Sequence, residues 1–269
     1  MAVTPPRSPS DSGPAPGGPA RPVAAWLAGR IGFGDYLALA ERLAWEVSEP
    51  RGRCPTLVVC ELEPGITIGR LGSRADVLVG DDELRRRRLE LRFTGRGGGA
   101  VAHVPGQVFV ALFAALGDLG LGPLDAGGTL DRLETGLVAA LREVRCGAVR
   151  MDGVPGVFGR TGLLAAVGIA VRRGVVCHGA FVNVCPAPDL VPLVLTVPAA
   201  CRTADVPALT MGSIEGDLQR HVRLQDVRTA LVHAVAKAFG FSRTLVQSGF
   251  PVPVPAADRS RAEVASRVG

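Results

Sequence analysis

The run Thr94-Gly95-Arg96-Gly97-Gly98-Gly99-Ala100-Val101-Ala102-His103-Val104-Pro105-Gly106-Gln107 is the most informative stretch of the chain. Glycine loses more backbone freedom on folding than any other residue, so four glycines within residues 95–99 need a structural or chemical reason. A turn of bare backbone lets another group come close, and its N–H groups can face that group. Arg96 would add charge, and His103 would stand where the next strand begins. On composition alone, a flexible hairpin loop explains the run equally well. No Lys-Ser/Thr pair follows, so this is not a nucleotide-binding Walker loop; no long helix opens after it, so it is not a dinucleotide fingerprint.

Outward from this turn, helical and strand patterns alternate. Phe33 to Ser48 carries apolar residues at helical spacing (Tyr36, Leu37, Leu39, Ala40, Leu43, Ala44, Val47) and predicts an amphipathic helix. Thr56 to Glu61 reads as a buried strand and Ile66 to Gly69 as a short second one. Asp81 to Leu89 suggests a short helix. Strands are expected to begin at Leu91 and at Ala100, and Val108 to Leu116 is a long apolar strand. Thr129 to Val144 is a second helix, with Asp131 and Glu134 placed to favour its dipole. Leu163 to Val171 and Val175 to Val184 form a hairpin across Arg172-Arg173-Gly174, and Leu224 to Phe239 is the closing helix. These elements predict an α+β fold, a mixed sheet flanked by helices.

The ends read differently. Residues 1–23 are dense in Pro, Gly, Ser and Ala without periodicity and are expected to be disordered; 249–269 read as a loose tail, leaving a folded domain over 24–248. The formal net charge is +5, but the positives are scattered and no aromatic platform interleaves them, so nucleic acid is not the expected partner. No apolar run is long enough for a membrane span. The six cysteines form no CxxC pair or zinc-type spacing, and no signal peptide precedes them, so a reduced, cytoplasmic protein is expected. Lys237 is the single lysine among 30 cationic residues. Arginine can replace lysine on a surface but not where a deprotonatable amine is needed.

Two further clusters carry possible chemistry. In Cys177-His178-Gly179-Ala180-Phe181-Val182-Asn183-Val184, strand alternation places His178, Ala180 and Val182 on one face and Gly179, Phe181 and Asn183 on the other. A lone histidine on a strand is more often structural than catalytic. In Pro198-Ala199-Ala200-Cys201-Arg202-Thr203, a cysteine among small residues has access and a cationic neighbour, although most single cysteines are inert.

Taken in order, these pieces resemble the octanoyltransferase (lipoate-protein ligase B) family. Its run Arg-Gly-Gly-x-x-Thr-x-His-Gly-Pro-Gly-Gln appears as Arg96-Gly97-Gly98, His103 and Pro105-Gly106-Gln107. Glu61-Leu62-Glu63-Pro64-Gly65-Ile66-Thr67-Ile68-Gly69-Arg70 resembles an upstream family segment, and Ala165-Ala166-Val167-Gly168 resembles the strand before the His-Gly motif. The resemblance spans about Tyr36 to Phe239 and implies the biotin/lipoate ligase fold. It implies transfer of an octanoyl group from acyl carrier protein, through a cysteine thioester, to a lysine of a lipoyl domain. Such domains belong to 2-oxoacid dehydrogenases or the glycine cleavage H protein. No cofactor is implied. Cys201 would be the catalytic cysteine. Arg96, Gly97, Gly98, Gly99, His103, Gly106, Gln107, His178, Gly179 and Asn183 would bind substrate.

The chain departs from the pattern at two points. The family's catalytic lysine opens a Lys-Ile-Ala-Ala-Ile-Gly segment that here begins at Leu163. Proline precedes and glycine follows the family's cysteine, where this chain has Ala200 and Arg202. Active transfer, with His103 or His178 in place of the lysine, and acyl or carrier binding without turnover are both open. An ATP-dependent ligase is a third reading, although such ligases also need the lysine.

Overall fold

The computed structural model describes residues 21–49, 54–202 and 211–250. In chain order it begins with β1 (Pro22–Ile31), α1 (Phe33–Ser48), β2 (Thr56–Leu62), β3 (Gly65–Ile68), α2 (Asp81–Arg86), β4 (Glu90–Phe93), β5 (Ala100–His103) and β6 (Gln107–Ala115). There follow α3 (Ala126–Glu143), β7 (Val149–Met151), β8 (Val154–Gly159), β9 (Gly162–Arg172), β10 (Val175–Asn183), α4 (Ile214–Leu218), α5 (Leu224–Ala238) and β11 (Arg243–Ser248).

Eight strands form one mixed sheet in the order β11-β1-β2-β6-β10-β9-β8-β7, and β4-β3-β5 form a small second sheet. The central strands β6 and β10 are buried along their whole length, as their largely apolar runs require. One face is covered by α3 and α5, whose Leu133, Leu137, Leu231 and Val235 pack on Val110, Val167 and Val182. The other face carries α1, with Tyr36, Leu39 and Leu43 among Phe109, Phe181 and Cys177. The expected α+β architecture, a mixed sheet flanked by helices, is what the chain adopts.

Several expectations are corrected. Pro22 and Val23, assigned by composition to the N-terminal segment, begin β1, and Val23 is fully buried; residues 1–20 lie outside the described residues. The fold closes with β11, not with α5: β11 adds in parallel to β1, and the Gly249 N–H continues the pairing to the Leu27 carbonyl. β11 lacks alternation because it is an exposed edge, and β1 alternates over its first residues until a register shift between Leu27 and Gly29 breaks the pattern. Residues 251–269 of the expected tail are likewise outside the described residues. Helix α3 starts at Ala126, capped by Asp125, so Asp131 and Glu134 lie beyond its first turn. Glu134 instead accepts from the Gly156 N–H at 2.8 Å and pairs with Arg150, tying α3 to the β7–β8 hairpin.

Candidate active site

The glycine turn between β4 and β5 lies flat on β9. The Gly97 N–H donates to the Ile169 carbonyl at 2.7 Å, and the N–H groups of Gly69 and Leu71 donate to the carbonyls of Gly99 and Gly98. A Cβ at Gly98, whose φ is +78°, would lie 2.9 Å from the Val167 oxygen; at Gly99 it would lie 2.4 Å from the Thr196 oxygen. These glycines are therefore explained by the approach of the chain's own backbone. Gly106 and Gly179 are explained the same way, against Cys185 and Val110.

This packing carries Arg96 inward. Arg96 is 1% exposed, and its guanidinium has no carboxylate partner among the described residues. It donates to the Thr67 carbonyl at 3.0 Å, the Thr67 hydroxyl at 2.9 Å and the Gly97 carbonyl at 2.9 Å, and it lies 5.3 Å from the Phe181 ring centroid. Burial lowers its pKa to about 10, so it remains charged at neutral pH.

The same threonine hydroxyl lies 2.9 Å from His103 Nε2. Burial, with Arg96 as second cause, lowers the His103 pKa to about 3, so the ring is neutral. Because Thr67 receives a hydrogen from Arg96, its own proton is free to go to Nε2. His103 Nδ1, by contrast, is a buried atom with no hydrogen-bond partner.

His178 reverses the strand-alternation expectation. Its φ of +65° breaks the pleat locally and turns the ring onto the α1 face, where Nδ1 lies 2.9 Å from the hydroxyl of Tyr36, the one tyrosine of the chain. Ala180 and Val182 remain on the opposite face, as expected. Burial and then the charges of Arg96 and Arg172 lower the His178 pKa to about 3. Arg96, His103 and His178 are thus gathered around Phe181 and Phe109, with Thr67 and Tyr36 completing their hydrogen bonds. Neither supporting residue carries a local sequence signal of this role. Thr67 stood in a recognised segment, and Tyr36 on a helix face looked like simple core.

A second cluster forms at the end of β10. Gln107 Nε2 donates to Asn183 Oδ1 at 2.9 Å, and Asn183 Nδ2 donates to the carbonyls of Leu163 and Gly212 at 3.4 and 3.1 Å. Asn183 thereby fixes the start of β9, where Leu163 is 1% exposed within the apolar cluster under α1. Cys201 packs against that same cluster, half-buried on a 3-10 turn whose last N–H donates to the Pro198 carbonyl.

The expected helpers of Cys201 are engaged elsewhere. Among the described residues its thiol has no hydrogen bond to a histidine, lysine or carboxylate. Arg202 donates to the Val197 carbonyl and pairs with Asp76 at 2.8 Å. Arg160 donates to carbonyls of Gly216 and Asp217, and Lys237 is exposed on α5. No group of three or more potential metal ligands occurs among the described residues, and no described helix is long and apolar enough to cross a membrane.

The model of the lipoyl protein ligase A/B catalytic domain matches residues 34–236. The chain belongs to this family. Within it, the chain is 32% identical over 200 residues to an octanoyltransferase of Geotalea uraniireducens, covering 74% of this chain and 85% of that protein. It is 31% identical over 184 residues to an octanoyltransferase of Alcanivorax borkumensis, covering 68% of each chain. The lipoyl protein ligase fold is also found by structure. Lipoate-protein ligase A bound with ATP superposes with a TM-score of 0.65 at 17% identity, over 91% of this chain and 95% of the other. A bipartite lipoate protein ligase of Thermoplasma acidophilum gives 0.62 at 17%, over 92% and 93%.

Proposed function

We propose that this lipoyl protein ligase A/B family member moves octanoyl groups in protein lipoylation, with Cys201 as the acyl-accepting residue. The donor is octanoyl-acyl carrier protein and the acceptor a lipoyl-domain lysine, in the cytoplasm. The Cys201 thiol attacks the donor's thioester carbonyl; a new C–S bond forms, and the carrier thiol leaves with the proton. The acceptor amine then attacks the Cys201 thioester, forming an amide and returning the thiol. A thiol is suited to both halves, as nucleophile and as leaving group. The observation that supports this reading is the position of Cys201, half-buried on a loop that packs against the same apolar cluster as Leu163.

Leu163 supports a second reading, in which the protein binds an acyl chain or its carrier without turnover. A leucine cannot take a proton from the thiol or the amine, and losing a general base costs about 10² to 10⁴ in rate. His103 and His178 are neutral, but their hydrogen bonds go to Thr67 and Tyr36. Cys201 also stands three residues after Pro198, and the residue directly after that proline is the exposed Ala199.

One experiment separates the two. The protein is incubated with octanoyl-acyl carrier protein, then with a lipoyl domain, and both are followed by intact mass with Cys201→Ser as control. The transfer reading expects an octanoyl adduct that depends on Cys201 and moves to the lipoyl domain. No adduct at any pH between 6 and 9 would end it. An adduct that never moves on would leave the binding reading.

A further inference from the structure

A groove of about 470 Å³ lies between the loop that follows β10 and residues 211–213. It is lined by Leu78, Pro186, Val191, Val194, Leu195 and Met211, among others, and none of its lining side chains is charged. Its two hydroxyls are already engaged: Thr161 Oγ1 donates to Asp217 at 2.6 Å, and Ser213 Oγ accepts from the Gly216 N–H at 3.0 Å. Leu78 is 55% exposed, so the groove holds apolar surface against water. A cavity of roughly 150 Å³ accommodates the six carbons of benzene, and this one is ample for an eight-carbon chain.

The groove is tied to the Cys201 segment through two separate parts of its lining. Met211 pairs with Leu163 in a short parallel bridge, and the Gly212 N–H donates to the Leu163 carbonyl at 3.0 Å. Met211 and Cys201 pack against the same apolar cluster, which contains Leu163. From the loop, the Leu195 N–H donates to the Asp76 carbonyl at 2.8 Å. The Asp76 carboxylate in turn holds Arg202, the residue after Cys201, at 2.8 Å. The space beside His103 differs in kind: it is about 50 Å³, is bordered by Glu63, Glu90 and Arg92, and suits water or a small polar group.

We propose that this groove seats the aliphatic chain of the acyl group carried by Cys201. This rests on the acyl-handling reading above and adds to it the place of the chain, which that reading leaves open. Methylenes that displace water from an uncharged apolar wall supply the binding energy. The wall offers no partner to a charged head, so the methyl end enters the groove and the carbonyl stays toward Cys201.

The test is photolabelling of the full chain carrying Cys201→Ser, with an eight-carbon fatty acid that bears a diazirine near its methyl end. Peptide mass spectrometry locates the adducts. They are expected within 186–195 and 211–213, and excess octanoate should suppress them. In titration calorimetry on the same protein, each methylene removed from octanoate should cost about fourfold in affinity. Leu78→Glu and Leu78→Lys, at an exposed position, should both weaken octanoate binding by about fivefold or more, since a charge of either sign loses water beside the chain. Adducts confined to the residues around His103, or labelling that octanoate does not suppress, overturn the proposal. So does binding that neither charge weakens, or that only one of them weakens. A labelled groove without any Cys201 adduct from octanoyl-acyl carrier protein in the parent would sink the transfer reading alone; a Cys201 adduct with the groove unlabelled would sink this one alone.

Discussion

The Nδ1 atom of His178 lies 2.9 Å from the hydroxyl of Tyr36, on the face of the sheet opposite to the one strand alternation assigns. The left-handed backbone of His178 makes the contact, and the hydrogen bond to a fully buried hydroxyl helps offset the conformational cost. Tyr36→Phe would leave the imidazole nitrogen buried without its partner. A loss of about 1–3 kcal/mol is expected, since an orphaned buried polar group forfeits its desolvation cost. Urea denaturation measures it, and a change within error would show that water replaces the hydroxyl.

Stability should fall in acid because of the two buried histidines. Both have folded pKa values lowered to about 3 from 6.5, mainly by burial. The unfolded chain therefore binds more protons below pH 6.5. Their contribution is complete above that value and is lost as pH falls from about 6.5 through 3, with a slope approaching about 1.4 kcal/mol per pH unit for each histidine. Denaturation midpoints between pH 7.5 and 4.5 give the slope. His103→Gln should reduce it by about half.

Gly179 offers a choice between packing and ligand binding. A Cβ there would fall 2.0 Å from the Val110 oxygen in the neighbouring strand, which is impossible without moving β6 or β10. Gly179→Ala is expected to cost roughly 3 kcal/mol or more, at or above the upper end for overpacking. Its melting temperature, compared with its acyl binding at low temperature, separates the roles. A variant of normal stability that fails to bind would restore the ligand-contact role.

Leu163→Lys places an amine where the family pattern has one, at a position 1% exposed. Burial disfavours the charged form, so the lysine's folded pKa should fall below its ordinary 10.4. The variant should be less stable than the parent by several kcal/mol at pH 6, and the deficit should shrink as pH rises toward 10. If the site is otherwise competent, transfer from octanoyl-acyl carrier protein should rise by about 10²-fold or more. A stable variant with no gain in transfer would show that Cys201, three residues beyond Pro198, cannot meet the new amine.

Much of the fold was legible because local patterns and tertiary burial agree. The helix over Phe33–Ser48 carries a periodicity that permits one buried face, and the hairpin around Arg172–Gly174 and the long strand ending in Ala115 carry apolar runs that suit burial on both faces. The edge strands were harder to see. β11 is exposed along most of its length, so no apolar alternation marks it, and its pairing partner lies more than 200 residues away. The site was legible in part. Arg96 and His103 stood out by their company in the glycine run, whereas the Thr67 hydroxyl that joins them lies on another strand.

By itself, the sequence determined the family pattern, the α+β class and the replacement at Leu163, since these depend only on residue identity, order and spacing. The tertiary structure decided what those residues touch. The glycines meet the backbone of β9, His178 faces Tyr36, and Arg202 turns to Asp76 and away from free solvent. Such contacts are fixed by backbone dihedrals and by packing between segments remote in sequence, and neither is encoded in a local pattern.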